Sequence, residues 1–135
     1  MIWLDMDGTI ANLYGNKNWL EELRAYSVAP YRNAKPMVNE LQLEELLAAG
    51  YGLGIISWCA GYHNNKEYDK QVRQAKREWL KENYPNIKFE HIHIVKFGTP
   101  KEKFYNIGDM LIDDEELNRK NWKGQAYHPN DFFFN

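Results

Sequence analysis

A single cysteine, Cys59, rules out any disulfide within the chain, so its fold must rest on packing alone. An excess of one charge sign is also lacking, with 17 Lys and Arg against 19 Asp and Glu for a net charge of −2. That balance gives no overall pull toward nucleic acid or an anionic membrane surface. No apolar run approaches the ~18 residues needed to span a bilayer. The amino-terminal segment Met1-Ile2-Trp3-Leu4 meets Asp5 with neither a basic stretch nor a long apolar core, so no signal peptide is read. Repeats, low-complexity tracts and Ser/Gly-rich linkers are missing too. The expectation from these absences is a cytoplasmic protein in a reducing compartment, with no membrane partner.

What is present is an ordinary globular composition, 44% apolar and 27% charged, in 135 residues, enough for one domain and too few for two. Aromatics reach 15% and include five Trp. Rings of that size fill a small core efficiently or line a pocket for a planar ligand.

Short apolar runs alternate with longer amphipathic ones. Residues 2–6, 53–57, 92–95 and 110–113 read as buried strands, and 125–127 as a weak fifth. Residues 36–49 read as a helix with Pro36 at its first turn and Gly50 at its stop. In residues 67–83 the apolar positions Tyr68, Val72, Ala75 and Trp79 are spaced by four, three and four, one face of a helix. The alternation predicts an α/β fold: a Rossmann-like three-layer sandwich with a five-stranded, mostly parallel sheet. Residues 12–35 break the pattern. Holding Trp19, Leu20, Leu23, Tyr26 and Tyr31, they predict one short helix and an irregular return, a small cap inserted after the first strand. Such an insertion lies above the carboxyl ends of the strands, where open α/β sheets bind ligands.

Two acidic clusters stand at strand ends: Asp5 with Asp7, and Asp113 with Asp114. A carboxylate there loses hydration at a cost of several kcal/mol unless a cation or hydrogen bonds compensate. Four such groups at one sheet edge would repel one another, and a hard divalent cation resolves the conflict. Oxygen-only ligands point to Mg²⁺. Gly8 gives the backbone its turn after Asp7, and Thr9 offers a hydroxyl. The set provides one aspartate to attack phosphorus, a second to handle a proton and a metal between them.

The segment Asp5-Met6-Asp7-Gly8-Thr9 resembles the first motif of the haloacid dehalogenase-like hydrolases. Ser57, ending Ile55-Ile56-Ser57, resembles their second motif, a hydroxyl that holds the phosphoryl group; Asp113-Asp114 resembles the acidic pair that ligates magnesium. The third motif is an upstream lysine, and two candidates compete. Lys103, ten residues before Asp113, resembles the spacing of the 5′-(deoxyribo)nucleotidase branch and is favoured over Lys101, with Lys96 a distant third. The resemblance implies a phosphomonoester hydrolase. Asp5 would be its nucleophile, Asp7 its acid and base, and Ser57 and Lys103 its phosphoryl-binding groups. Magnesium would be held by Asp5, the backbone carbonyl of Asp7 and Asp113, with Asp114 ligating through water or orienting the lysine. Gly8, Thr9, Trp58 and Lys101 are the further candidate substrate contacts.

Each residue also has a bland reading. Asp7-Gly8 could be a plain turn, and Asp113-Asp114 a helix cap. Ser57 gains its meaning only from the set. His91 and His93 share a strand face but lack a third metal ligand nearby, so surface or core histidines are favoured. His63 is a loop residue for which a substrate contact is the minority reading. Nothing marks Cys59 as a nucleophile. Lys70, Arg73, Lys76 and Arg77 read as the solvated face of their helix. The substrate expected is a nucleotide or another small organic phosphate. The alternatives are a nucleic-acid end with a 3′-phosphate, a phosphoprotein, or a binding module without catalysis.

Overall fold

The computed structural model describes residues 1–62 and 64–134. His63 therefore lies outside the described residues, and so does its reading as a substrate contact. In chain order the elements are β1 (Ile2–Leu4), β2 (Ala11–Asn12), a 3₁₀ turn (Leu13–Gly15), α1 (Trp19–Arg24), α2 (Ala29–Arg32), β3 (Lys35–Pro36) and α3 (Glu40–Ala48). They continue with β4 (Leu53–Trp58), α4 (Lys66–Asn83), β5 (His91–Val95), a second 3₁₀ turn (Lys101–Phe104), β6 (Met110–Ile112), α5 (Glu116–Asn121), β7 (Ala126–Tyr127) and α6 (Pro129–Phe133).

Five strands form one sheet in the order β5-β4-β1-β6-β7, and every pair is parallel. The strands read as short apolar runs because both faces are covered. On one face Ile2, Leu4, Leu53, Ile55 and Ile112 pack with Leu43 of α3 and Trp79 and Leu80 of α4. On the other, Trp3, Ile56 and Leu111 pack with Trp122, Phe104 and Tyr105. This is the three-layer α/β arrangement that the alternation of runs predicts. Gly54 keeps the second face flat beside β1, since a Cβ there would meet the Trp3 ring at 2.6 Å. His91 and His93 project into that region and stack, with centroids 5.9 Å apart; His93 also stacks on Phe104 at 4.5 Å. They are packing histidines.

Residue 36 corrects one expectation. Pro36 is not in a helix; it pairs with Ala11 in a two-stranded antiparallel ribbon, β2 with β3. The helix starts at Glu40 because Asn39 caps it: its side chain accepts from the Gln42 N–H while the Gln42 side chain accepts from the Asn39 N–H.

The 12–35 insertion holds two short helices, α1 and α2, rather than one. It is fastened to α4 at several points. The Tyr68 hydroxyl donates to the Ser27 carbonyl at 2.6 Å, the Trp79 indole N–H to the Ala34 carbonyl at 2.7 Å, and Arg32 pairs with Glu78 at 3.0 Å. Leu13, Leu23 and Tyr31 join Val72 and Ala75 in a core of their own.

Candidate active site

Strand register assembles the acidic groups. Leu4 of β1 is level with Ile112 of β6, so the next residues, Asp5 and Asp113, emerge side by side at the carboxyl end of the sheet. The chain leaves β1 toward β4 on one side and returns through β6 on the other, which makes this edge the topological switch point. Gly8 (φ +81°) turns the backbone away from β1, and a Cβ at that position would collide with the Asp114 carboxylate. Only glycine lets the two acidic loops close so tightly.

Carboxylate oxygens of Asp5, Asp113 and Asp114 all lie within 4.8 Å of one another, the one group among the described residues suited to holding a metal ion. Burial, and then the charge of Asp5, push the Asp113 carboxyl up from 3.8 to about 6. Asp114 is pushed to about 8 by burial, the Asp5 charge and a hydrogen bond with Asp5. Carboxylates crowded enough to hold protons near neutrality are carboxylates that a divalent cation would relieve.

Two buried ammonium groups reach the carboxylates of this edge, one at the trio and one at Asp7, and neither belongs to Lys103. Lys101, 1% exposed, donates to Asp5 Oδ1 at 2.9 Å and Asp113 Oδ2 at 2.7 Å. Burial works to lower its pKa, but the two carboxylates outweigh burial and raise it. The Trp58 ring covers this lysine, its centroid 5.4 Å from Nζ, and Trp58 is itself fixed by its indole N–H on the Thr99 carbonyl at 2.9 Å. Lys103 lies instead over Phe104 and lines a separate hollow with Trp3, His91 and His93. The two lysines share one 3₁₀ turn, which directs the first inward and the second to the far face of the sheet. The preference for Lys103 is thereby corrected to Lys101 as the lysine at the cluster.

The second ammonium group is that of Lys76, and the solvated-face reading fails for it. Lys76 is 1% exposed and donates to Asp7 Oδ2 at 2.7 Å, Ser57 Oγ at 2.8 Å and the Trp58 carbonyl at 2.8 Å. Sequence reading missed it although the signal was there. Lys76 is four residues past Val72 and three before Trp79, inside the apolar stripe of α4 rather than opposite it.

The remaining candidates divide. Asp7 lines the central cavity, but its carboxylate turns to Lys76 and is not one of the clustered trio; burial raises its pKa against the opposing charge of Lys76. Ser57 is fully buried beneath Lys76 and does not line the cavity. Thr9 is fully buried too, and acts as a clip rather than an open contact. Its hydroxyl lies 3.2 Å from Asp5 Oδ2 and accepts the Asp114 N–H at 3.2 Å, tying the two acidic loops together. Asp113 is further held by the Glu115 N–H at 2.9 Å and the Asn118 amide at 3.1 Å. Cys59 is buried, and burial raises its thiol pKa, the opposite of an activated nucleophile.

The cavity over these groups measures about 80 Å³. Its floor is Asp5, Asp7, Lys101, Asp113 and Asp114, and its mouth is aromatic. Tyr14, Tyr62 and Phe97 stand there 51%, 45% and 55% exposed. No protein-family model matches the chain, and no curated protein matches it. No helix among the described residues is long and apolar enough to cross a membrane.

Proposed function

We propose that the chain is a magnesium-dependent phosphomonoester hydrolase of the haloacid dehalogenase-like type, working through an aspartyl-phosphate on Asp5. One observation carries the reading. Four carboxylates, Asp5, Asp7, Asp113 and Asp114, meet two buried ammonium groups, Lys76 and Lys101, at the switch point of the sheet. With all four carboxylates ionised, two negative charges would be left over, the complement of one divalent cation, and the donors are all oxygen.

Asp5, Asp113 and Asp114, with the backbone carbonyl of Asp7, would hold the ion. When bound, magnesium would neutralise charge on the transferring phosphoryl oxygens. The chain's own groups do the rest. Asp5 attacks phosphorus in line, so that an Asp5 Oδ–P bond forms as the bond to the leaving oxygen breaks. Protonated Asp7 gives that oxygen its proton; as a carboxylate it then takes one from the water that releases inorganic phosphate and restores Asp5. Lys101 reaches both Asp5 and Asp113, so it is placed to stabilise the phosphoryl oxygens that come between them.

A cavity of about 80 Å³ is small beside the ~300–1,000 Å³ of pockets that enclose a whole small-molecule ligand. It takes the phosphoryl group and leaves the rest of the ester at the aromatic mouth. That favours a nucleotide or other small organic phosphate whose planar group stacks on Tyr14, Tyr62 or Phe97. The same half-exposed rings keep a second reading alive, a nucleic-acid end stacked by its terminal base.

A panel of phosphate esters, assayed with magnesium and with chelator, tests the proposal. Turnover should require the metal and should vanish in Asp5→Asn, with the circular dichroism spectrum unchanged. Activity retained by Asp5→Asn would sink the assignment, and preference for 3′-phosphorylated DNA over every mononucleotide would reverse the substrate choice.

A further inference from the structure

A buried lysine ammonium costs several kcal/mol unless its surroundings replace water completely. Lys76 meets that condition with three acceptors for three hydrogens: Asp7 Oδ2, Ser57 Oγ and the Trp58 carbonyl, all within 2.8 Å. The Tyr31 ring, its centroid 4.8 Å from Nζ, closes the remaining side. Lys76 does not line the cavity, whereas Asp7 does. The lysine thus stands behind the aspartate, out of reach of any substrate.

The two oxygens of Asp7 are treated differently. Oδ2 is taken by Lys76, and among the described residues Oδ1 makes no hydrogen bond. An aspartate next to a glycine turn has two side-chain torsions to fix before it can deliver a proton over ~2.6–3.2 Å. Among the described residues the Lys76 contact is the one hydrogen bond on the Asp7 carboxylate that could fix them. Ser57 and Trp58 anchor the lysine to the end of β4, so it carries the position of one strand end to a side chain on another.

We infer that Lys76 is a positioning residue for general acid catalysis: it anchors Asp7 through Oδ2 and leaves Oδ1 to protonate the leaving oxygen. The inference rests on the phosphohydrolase reading above. Its step is the first half-reaction, in which the bond from phosphorus to the leaving oxygen breaks, the Asp5 Oδ–P bond forms, and the proton on Asp7 passes to the departing oxygen.

Leaving-group dependence separates this role from mere support of the fold. In full-length protein with magnesium, kcat/KM is measured for esters ranging from 2,4-dinitrophenyl phosphate, whose leaving oxygen needs no proton, to phenyl phosphate, whose oxygen does. Lys76→Met should lose roughly 100-fold or more on phenyl phosphate, as expected for loss of a general acid, and less than about tenfold on the dinitrophenyl ester. Asp7→Asn should show the same split, and the double variant should be no worse than Asp7→Asn alone. Lys76→Gln, which keeps a donor in place, supplies the same comparison if the methionine variant does not fold, and should show a smaller split. Uniform loss across the esters in the Lys76 variants, or no loss, while Asp7→Asn keeps its split, overturns the positioning role and leaves the site reading standing. Wild-type turnover in Asp5→Asn overturns both.

Discussion

Without a divalent cation this protein should lose stability as pH rises from 5 to 8, and magnesium should cancel the loss. The sign follows from Asp113 and Asp114, whose carboxyls are raised in the fold from 3.8 to about 6 and about 8. A raised carboxyl holds its proton in the folded state over a pH range where the unfolded chain has released it, so acidification favours folding. Asp113 is completely buried, and its rise from 3.8 to about 6 corresponds to about 3 kcal/mol lost once pH passes the folded value. Asp114 is partly open to solvent and adds a smaller, screened amount of the same sign. His93, lowered chiefly by burial, opposes the trend weakly. About half of the Asp113 loss falls between pH 5 and pH 8, and for a chain of this length ~1.4 kcal/mol is roughly 5 °C of Tm. Thermal unfolding in chelator should therefore give a Tm about 5 °C higher at pH 5 than at pH 8. Saturating magnesium should raise the pH 8 value more than the pH 5 value, because at pH 5 the ion must displace protons. The double variant Asp113→Asn/Asp114→Asn should flatten both dependences. Equal magnesium shifts at the two pH values, or a Tm that rises with pH in chelator, would refute the reasoning.

Two further outcomes follow from the lysines and from Gly8. Lys101→Met should cut kcat/KM by at least ~100-fold, the scale of a lost transition-state donor, whereas Lys103→Met should stay within a few-fold of wild type in the same ester assay. Gly8→Ala forces a left-handed φ of +81° on alanine and drives its Cβ into the Asp114 carboxylate. It should cost about 1–3 kcal/mol in denaturant titration and abolish magnesium-dependent stabilisation.

Strand positions were legible from apolar runs bounded by glycine, because a parallel sheet covered on both faces leaves little room for polar residues. Asp5 and Asp113 were legible for the converse reason: carboxylates directly after such runs have no comfortable alternative. Pro36 misled because its fixed φ suits a helix's first turn and an edge ribbon equally, and only pairing with Ala11 decides between them. Spacing could not choose between Lys101 and Lys103, since a 3₁₀ turn rotates its side chains by ~120° per residue, so that lysines two apart face different ways, and its start had no reliable marker. Lys76 could have been found by plotting α4 as a wheel. It was obscured by the basic residues around it, Lys70, Arg73 and Arg77, which make the whole run look solvated. What Ser57 does was not visible locally, because its partner Lys76 is 19 positions away, and the half of the Thr9 clip that holds Asp114 spans 105 positions.

The insertion bound to α4 has a kinetic consequence. Tyr68, Trp79 and Glu78 fasten it to the same helix that carries Lys76, so the wall over the site and the anchor of Asp7 ride on one rigid body. On the proposed reading, substrate and phosphate would exchange through the aromatic mouth without a hinge step. Turnover in such an enzyme should be insensitive to added sucrose or glycerol over a range of solvent viscosity that slows enzymes gated by a closing lid.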